Sequence, residues 1–358
     1  IITHTLSIIQ VRGTAMTSAW QDFLRERGAR VETGAVVDFG DAAAELRAAR
    51  DGGIVAPLGH LGLMDCSGAD AQDFLHGQLS NDIKNLAPDR SAYAAYCSAK
   101  GRVLANVLLW REGEAYCLEL ARTLLSATQK RLAMFVLRSR VKLADVSESR
   151  PVLGLAGRAA AEALTGLFPA LPRGSHQIVH DAAIGTLIAL PGARFQLFAE
   201  LESANVLCDK LAALLKPVGG PCWEWLEIRN GIPLITPATQ EQFVPQMANM
   251  ELIGAVNFQK GCYPGQEIVA RTQYLGQIKR RMVLAHVALT DMPQPGDELF
   301  SSALDGQASG TVVNAQAAPD GGYDLLAVVQ TTGIAESTLR LKSANGPTLH
   351  IEALPYPV

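Results

Sequence analysis

The order of apolar and polar positions predicts a mixed succession of helices and strands, followed by a region of strands alone. Residues 68–83 carry apolar side chains at helical spacing, whereas residues 91–120 read as three strands of a hairpin meander. The glycine-rich residues 50–70 predict a break without regular structure. Further helices are predicted at 121–141, 158–171 and 202–219, and further strands at 142–147, 151–157, 184–190 and 194–200.

From Met282 onward the pattern changes to short apolar strands separated by Gly, Pro, Asp and Asn. Strands at such spacing, with no helix between them, indicate a small closed barrel. A chain of 358 residues is long enough for two or three domains. The predicted strands cover 281–289, 297–301, 310–316, 323–330, 338–342 and 348–354.

The composition is that of an ordered globular protein. Hydrophobic residues make up 48% and charged residues 18% of the chain, as in ordered globular proteins. The net charge of -4 provides no overall basic field for nucleic acid. No apolar run reaches the roughly 20 residues of a membrane span, so we predict no membrane association.

The six cysteines are dispersed, and no two of them form a C-x-x-C pair. This argues against a zinc ribbon and against a disulfide scaffold, and a reducing cytoplasm is the predicted compartment. Cys117 and Cys208 stand in apolar contexts and are predicted to be buried. His176 and His180 run into a strand and would not share a helix face, so no metal site is predicted.

The first residues, "IITHTLSIIQ", lack an initial methionine, and Met16 begins a more ordinary amphipathic segment. Residues 1–15 are therefore interpreted as a start-site misassignment without a structural role.

The densest chemistry lies in "QKGCYPGQEIVAR", residues 259–271. Pro264 suits the first turn of a helix, so Cys262 would lie just before a helix N-terminus with Lys260 nearby. Both features stabilise a thiolate, and we predict a partly exposed, functional Cys262. The alternative from the pattern alone is a tight turn with a buried thiol.

The neighbouring residues extend this hypothesis. Gly261 and Gly265 would let the backbone approach a bound group, and the free N–H groups of the helix end could hold a carboxylate. Glu267 would lie near the positive end of the helix dipole. Glu267 and Arg271 are equally compatible with ordinary surface charges.

This stretch resembles the signature K-G-C-[FY]-x-G-Q-E-x-x-[AG]-R of the YgfZ family. These proteins are folate-binding relatives of the T-protein, the aminomethyltransferase of the glycine cleavage system. The resemblance extends to the helix at 68–83, the hairpin that follows it and the segment leading to the signature. Residues 1–50 and the barrel loops are weakly matched. The signature falls on Lys260, Gly261, Cys262, Tyr263, Gly265, Gln266, Glu267, Ala270 and Arg271.

The resemblance implies an α+β fold, a three-domain ring of T-protein type around a central channel for tetrahydrofolate, with a C-terminal small β-barrel. The folate-binding domain would comprise 51–150 and 223–278, and a second α+β domain 151–222. The barrel would comprise 279–358, and 1–50 would remain a poorly matched N-terminal segment.

Members of the family are associated with synthesis or repair of iron–sulfur enzymes, including those that thiolate tRNA. The implied function is a folate-binding accessory factor whose partners are iron–sulfur client enzymes. Tetrahydrofolate is the implied cofactor, and an arginine in the cavity could pair with its glutamyl tail. The expected folate contacts are Asn106, Arg229, Lys260, Gly261, Gly265, Gln266, Glu267 and Arg271.

The positions of the T-protein's catalytic carboxylates argue against glycine cleavage. Its hairpin aspartates fall on Ala105 and Asn106, and the glutamate of its R-x-E-x-G motif falls on Arg229, which is expected on a strand. A classical enzyme is therefore not predicted. A folate-dependent one-carbon (aminomethyl) transferase acting on an unknown amine stays open as the alternative.

Nucleic-acid binding is a third reading. Residues 255–281 hold five basic residues against the single acid Glu267. Such a run could touch a phosphate backbone, such as that of tRNA, but a solvated face is the commoner meaning. The basic stripe in 128–142 is read as an amphipathic helix packed on a sheet.

Overall fold

The computed structural model describes residues 19–302, 307–331 and 338–358. The interpretation of residues 1–15 lies outside these ranges. Helices in the described part of the chain are α1 Ala19–Glu26, α2 Ala42–Asp51, α3 Ala71–Gln78, α4 Arg122–Val136, α5 Arg158–Thr165, α6 Leu201–Ala212, α7 Gly220–Arg229 and α8 Gln266–Tyr274.

Strands form a two-stranded ribbon and three larger sheets. They are β1 Arg30–Glu32, β2 Ala35–Asp38, β3 Ile54–Pro57, β4 Leu61–Ser67, β5 Ser91–Cys97, β6 Val103–Glu112, β7 Ala115–Ala121, β8 Lys142–Asp145, β9 Val152–Ala156, β10 Ile178–Asp181, β11 Gly185–Leu190, β12 Arg194–Ala199, β13 Lys216–Pro217, β14 Arg280–Val287, β15 Glu298–Ser301, β16 Ala308–Ala317, β17 Tyr323–Gln330, β18 Leu339–Leu341 and β19 His350–Glu352.

The first large sheet has the order β5-β6-β7-β4-β8 and is antiparallel throughout. The predicted hairpin meander is confirmed as β5, β6 and β7. Helix α4 packs Leu124, Leu125 and Leu132 against this sheet, as the amphipathic reading predicted.

The second sheet has the order β10-β11-β12-β9-β3-β13, in which β13 runs parallel to β3 and the other pairs are antiparallel. Its strand β3 lies within the stretch 51–150 and is hydrogen-bonded to β9 of this second sheet. The domain bounds stay a prediction.

The third sheet, β18-β15-β16-β17-β14-β19, is built from all six strands predicted in the carboxyl-terminal region. It curls into a half-barrel, in which the N–H of Leu349 donates to the carbonyl of Leu339 and the N–H of Leu341 to that of Pro347, so that β18 also contacts the segment that leads into β19. The fold is the predicted α+β arrangement, with sheets from three parts of the chain meeting around a central helix, α7.

Two segments contradict the pattern-based expectations for a physical reason. Residues 50–70 hold β3 and β4 and are not a break. The apolar run Ile54, Val55 and Ala56 is buried on both faces, so it shows neither alternation nor a helical period. Helix α7 was missed because Trp223, Trp225 and other residues around its circumference are buried, which removes the single apolar stripe of a surface helix.

A buried carboxylate joins α7 to the half-barrel. Asp324 of β17 is only 4% exposed and accepts a hydrogen bond of 2.8 Å from the indole Nε1 of Trp225. Its second oxygen lies 2.8 Å from Nδ1 of His286, and Arg229 reaches both Asp324, at 3.5 Å, and Glu352. This carboxylate of β17 therefore holds groups from strand β14 and helix α7.

We expect Asp324→Ala to lower the free energy of unfolding by about 3 kcal/mol, because it leaves buried polar groups without their partner. Asp320→Ala is the matched control: the Asp320 side chain is 83% exposed and paired with Arg50, so it should cost less than about 1 kcal/mol. Urea denaturation measures both. Equal losses in the two variants would contradict a joint centred on Asp324.

Candidate functional site

A cavity lies where the three sheets and α7 meet. It comprises about 950 Å³ of empty space, including the solvent at its mouth. Strands β6 and β7, strand β12, helix α7 and strand β16 each contribute to its wall, so the cavity depends on the complete tertiary structure. Its apolar lining includes Leu61, Leu108, Leu120, Leu190, Ile228 and Ile232.

Two carboxyl groups in the wall have different partners on one strand. Glu119 of β7 is 6% exposed and accepts a hydrogen bond of 3.1 Å from Gln196 of β12. Glu227 of α7 accepts a hydrogen bond of 2.6 Å from the fully buried guanidinium of Arg194. Burial, together with the charge of Glu227, raises the pKa of Glu119 to about 8. Glu119 is therefore mainly protonated at neutral pH and can both donate and accept a hydrogen bond.

A second set of polar side chains lies at the cavity near strand β4. Gln316 donates a hydrogen bond of 2.9 Å to Glu224, and Nε2 of His60 lies 3.9 Å from the other oxygen of Glu224. Within the described ranges, the lining contains three glutamates but no lysine or arginine. The cavity is therefore suited to a ligand surface that is apolar and rich in hydrogen-bond donors.

The structure places Asn106 in this wall, as expected for the central cavity. Its side chain donates to the carbonyl of Pro233 at 2.8 Å and accepts from the N–H of Ile235 at 2.8 Å. Because both ends of the amide are used, Asn106 orders the segment that closes one side of the cavity. Whether it also contacts folate stays a prediction.

Arg229 does not lie where it was expected. It ends helix α7 and is not on a strand, and its guanidinium faces Asp324 and Glu352 of the half-barrel. It is not among the residues that line the cavity. The expected pairing with a glutamyl tail therefore has no geometric basis, because Asp324 and Glu352 already form ion pairs with the Arg229 guanidinium.

Lys260 of the signature is also engaged within the protein. It is 7% exposed, and its Nζ donates to the carbonyl of His76 and, at 2.6 Å, to that of Leu79. Both carbonyls belong to the C-terminal end of α3, where a cation is favourable. Burial lowers the pKa of Lys260 to about 8. These two hydrogen bonds indicate that Lys260 stabilises the attachment of the signature loop to the end of α3.

The glycines of the signature differ in their surroundings. Gly265 has φ +82°, and a Cβ added to it would lie 2.4 Å from the carbonyl oxygen of Ser98. It thus seats the loop on the turn between β5 and β6. A Cβ on Gly261 would meet only His76, at 3.5 Å.

The helix begins later than predicted. Pro264 forms a turn with Gly265, and α8 starts at Gln266. Glu267 lies in its first turn, as expected, and is exposed, as is Arg271. Gln266 approaches the carbonyl of Lys260 at 3.4 Å.

Cys262 is exposed, as predicted, and the other five cysteines are buried. Burial raises the pKa of each of these five thiols to about 12, which confirms the structural reading of Cys117 and Cys208. Cys262 does not line the cavity. The structure therefore separates the predicted residues into a cavity and a surface thiol, and no described group of three or more His, Cys, Asp and Glu side chains could hold a metal ion.

The acids of the cavity were not found from the sequence. Glu119 stands in "YCLEL" and Glu227 in "WEWLEIR", each as a charged residue inside an apolar run. A charge at a position that the pattern predicts to be buried is a signal for a functional or paired group. That signal was present, but the partners on β12 could not be inferred from it.

Comparison with solved structures defines the class of protein. The crystal structure of aminomethyltransferase T of the glycine cleavage system from Bartonella henselae matches 94% of this chain and 96% of its own, with a TM-score of 0.79 and 18% sequence identity. Residues 15–179 match the family model of the GCVT N-terminal domain. The chain therefore has the fold of the glycine cleavage T-proteins.

Sequence similarity gives the family within this class. The chain is 33% identical over 296 residues to the tRNA-modifying protein YgfZ of Escherichia coli K12, covering 82% of this chain and 90% of the relative. The protein of the same description from Shigella flexneri matches with the same values. The chain belongs to the YgfZ family.

No helix in the described ranges combines the length and apolarity needed to cross a membrane.

The raised pKa of Glu119 predicts a pH-dependent stability. The folded protein binds this proton up to about pH 8, whereas the unfolded chain releases it near 4.5. Between these values the folded state holds more protons, so the contribution of Glu119 to stability is lost as the pH rises. Glu119→Gln carries no titrating group and should gain stability relative to the wild type from pH 5 to 8. Urea denaturation across this range measures the difference, and a pH-independent difference would contradict the assignment.

Proposed function

We propose that the chain acts in tRNA modification as an accessory factor that binds a reduced folate in the central cavity and exposes Cys262 as its functional thiol. The tRNA part of this proposal is supported by the description of its YgfZ relatives. The folate part is supported by the cavity and by the T-protein fold. Its clients would be iron–sulfur enzymes, including those that thiolate tRNA.

The observation that carries the folate proposal is the combination of apolar walls with the Glu119–Gln196 pair. The pterin head of a folate is a flat heteroaromatic ring with amino and ring N–H donors along one edge. A protonated carboxyl and a carboxamide side by side offer acceptors for such an edge and a donor for its carbonyl.

The charges of the cavity also orient the ligand. A folate carries an anionic glutamyl tail, whereas the lining contains Glu119, Glu224 and Glu227 without a described lysine or arginine. The tail is thus disfavoured inside and would remain at the mouth, in water. The pterin head would enter first.

A matched pair of substitutions tests this site by calorimetric titration with tetrahydrofolate. Glu119→Leu removes the polar group and should weaken binding at least about tenfold, as expected for lost hydrogen bonds in a buried site. Glu119→Gln keeps a donor and an acceptor and should stay within about threefold. Glu202→Leu, at an exposed position outside the cavity lining, is the control and should bind like the wild type. No saturable binding to the wild type up to millimolar ligand would refute the proposal.

The second candidate function is folate-dependent one-carbon transfer to an amine. One observation favours it: two carboxyl groups face one cavity in unlike surroundings, Glu119 beside Gln196 and Glu227 paired with the guanidinium of Arg194. Such unlike surroundings let one carboxyl act as acid and another as base. Incubation with methylene-tetrahydrofolate and candidate amines tests it. Consumption of the folate that Glu119→Leu abolishes would favour the enzyme over the accessory factor.

The thiol part of the proposal predicts a separation between stability and function. Cys262→Ala removes an exposed group and should leave the unfolding transition unchanged, yet fail to restore thiolated tRNA and iron–sulfur enzyme activity in a deletion strain under oxidative stress. Cys117→Ala empties a buried position and should mainly cost stability, by about 1 kcal/mol. Full complementation by Cys262→Ala would show that the thiol is dispensable.

A further inference from the structure

Helix α4 and the turn that follows it form a basic surface. Residues 122–142 contain six basic residues and no acidic residue, in a chain whose net charge is -4. Arg122 pairs with Glu148, and Arg140 pairs with Asp70. The other four cations are exposed and form no salt bridge within the described ranges; they are Lys130, Arg131, Arg138 and Lys142. On an ordinary solvated helix face, acids one turn away would balance such cations, so this surface is complementary to an anion.

The structure distinguishes this surface from the basic run at residues 255–281. In that run Lys260 is buried and donates to carbonyls at the end of α3, and Arg281 pairs with Glu251. The run also contains the exposed acid Glu267. Two of its five cations are therefore used inside the protein. The outer side of α4 is the more densely charged of the two surfaces.

Apolar side chains lie among the cations of α4. Met134, Phe135 and Leu137 are 64%, 44% and 87% exposed. Met134 follows Lys130 by one helical turn, and Phe135 follows Arg131 in the same way, so each apolar side chain neighbours a cation. Exposed apolar patches with a charged rim mark interaction sites. The exposed side chains of residues 130–138 are called the α4 surface below.

Leu137 occupies a turn position that favours glycine. The N–H of Ser139 donates to the carbonyl of Val136 at 2.7 Å and closes a turn around Leu137 and Arg138. Leu137 has φ 46° and ψ -105°, close to the angles of the first central residue of a type II′ turn, where glycine dominates. A leucine at this position strains the backbone and also leaves an apolar side chain in water. Both costs point to a role of Leu137 at the surface.

We propose that the α4 surface binds RNA, with Lys130 and Arg138 at the phosphates and with Phe135 and Leu137 against an unpaired base. Proteins recognise RNA mostly at single-stranded loops and ends, where bases stack on aromatic side chains while cations follow the backbone. Lys130 and Arg138 are assigned to the phosphates because Arg131 also interacts with the hydroxyl of Tyr96. This inference rests on the proposed function in taking tRNA as the RNA, since tRNA has both a charged backbone and unpaired loops.

Fluorescence anisotropy with a labelled tRNA transcript tests the phosphate contacts between about 50 and 200 mM KCl. The full chain should bind with an affinity that falls steeply as the salt concentration rises. Lys130→Ala and Arg138→Ala should each weaken binding about fivefold and lower the slope of log Kd against log salt by about 1. Lys210→Ala is the matched control, at an exposed lysine of α6, and should bind like the wild type.

Phe135→Ala tests the base contact. It should weaken tRNA binding about tenfold without changing the salt slope, because it removes stacking and no charge. Its binding to a blunt RNA duplex, in which every base is paired, should equal that of the wild type. Leu214→Ala removes another exposed apolar side chain, on a different part of the surface, and is the control. Equal affinities of Phe135→Ala and the wild type for tRNA would contradict the base contact.

Leu137→Gly separates binding from stability. Glycine relieves the positive φ, so the thermal unfolding midpoint should stay the same or rise. The affinity for tRNA should nevertheless fall about threefold, because the apolar side chain is lost. A lower midpoint combined with unchanged tRNA affinity would show that Leu137 serves the fold and not the RNA.

Three results would overturn the inference as a whole. The first is the absence of tRNA binding by the wild type at about 50 μM protein and low salt, and the second is binding that Lys130→Ala and Arg138→Ala leave unchanged. The third is displacement of the tRNA by poly-L-glutamate at equal charge concentration, since this polymer has charges but no bases and would assign the surface to an acidic protein.

The proposed function and this inference can fail separately. Anisotropy with tRNA requires neither folate nor an iron–sulfur client, so a failed folate titration leaves its result standing. Conversely, a chain that restores thiolated tRNA in a deletion strain while its α4 surface binds no tRNA would retain the proposed function and lose this inference.

Discussion

Arg194 is a cation without contact to solvent, and its counter-charge must therefore come from the fold itself. Glu227 of α7 supplies it, and the ring of Trp223 lies 5.1 Å from the guanidinium. Two residues along the same strand, on the same face, Gln196 holds Glu119 of the first sheet. Strand β12 thus fastens the central helix and the first sheet at adjacent positions. The cavity between them, with its acids, is a consequence of satisfying buried polar groups.

Several residues of the signature hold its loop in place. The ammonium of Lys260 donates to carbonyls at the end of α3. Glycine is required at position 265 because a Cβ there would lie only 2.4 Å from the carbonyl oxygen of Ser98. Tyr263 is buried beneath the Lys260 ammonium, 4.9 Å from it. This framework leaves Cys262 exposed, together with Glu267 and Arg271. Lys260, Tyr263 and Gly265 thus support the loop on which Cys262 lies.

The sequence predicts an element or an exposed side chain correctly where a single local pattern determines it. It does not do so where contacts with residues distant in the chain determine the structure. The six strands of the half-barrel follow from alternation and turn residues, and the exposure of Cys262 follows from the glycines beside it. Helix α7 and strand β3 escaped because burial on all sides erases periodicity. Arg229 was assigned to the cavity from its place in a motif, but its direction is set by Asp324, which lies 95 residues further along the chain. Glu119 was overlooked because its partner is on another sheet.

The hairpin of β5 and β6 links the two candidate sites. Its middle carries Tyr93 and Asn106, which line the cavity, and its turn carries Ser98 and Gly101, on which Gly265 rests. Opposed backbones packed this closely leave no room for independent movement, because a displaced turn would collide with the loop. Cavity and thiol are separate in space, and the hairpin of β5 and β6 contacts both the cavity and the loop that carries Cys262.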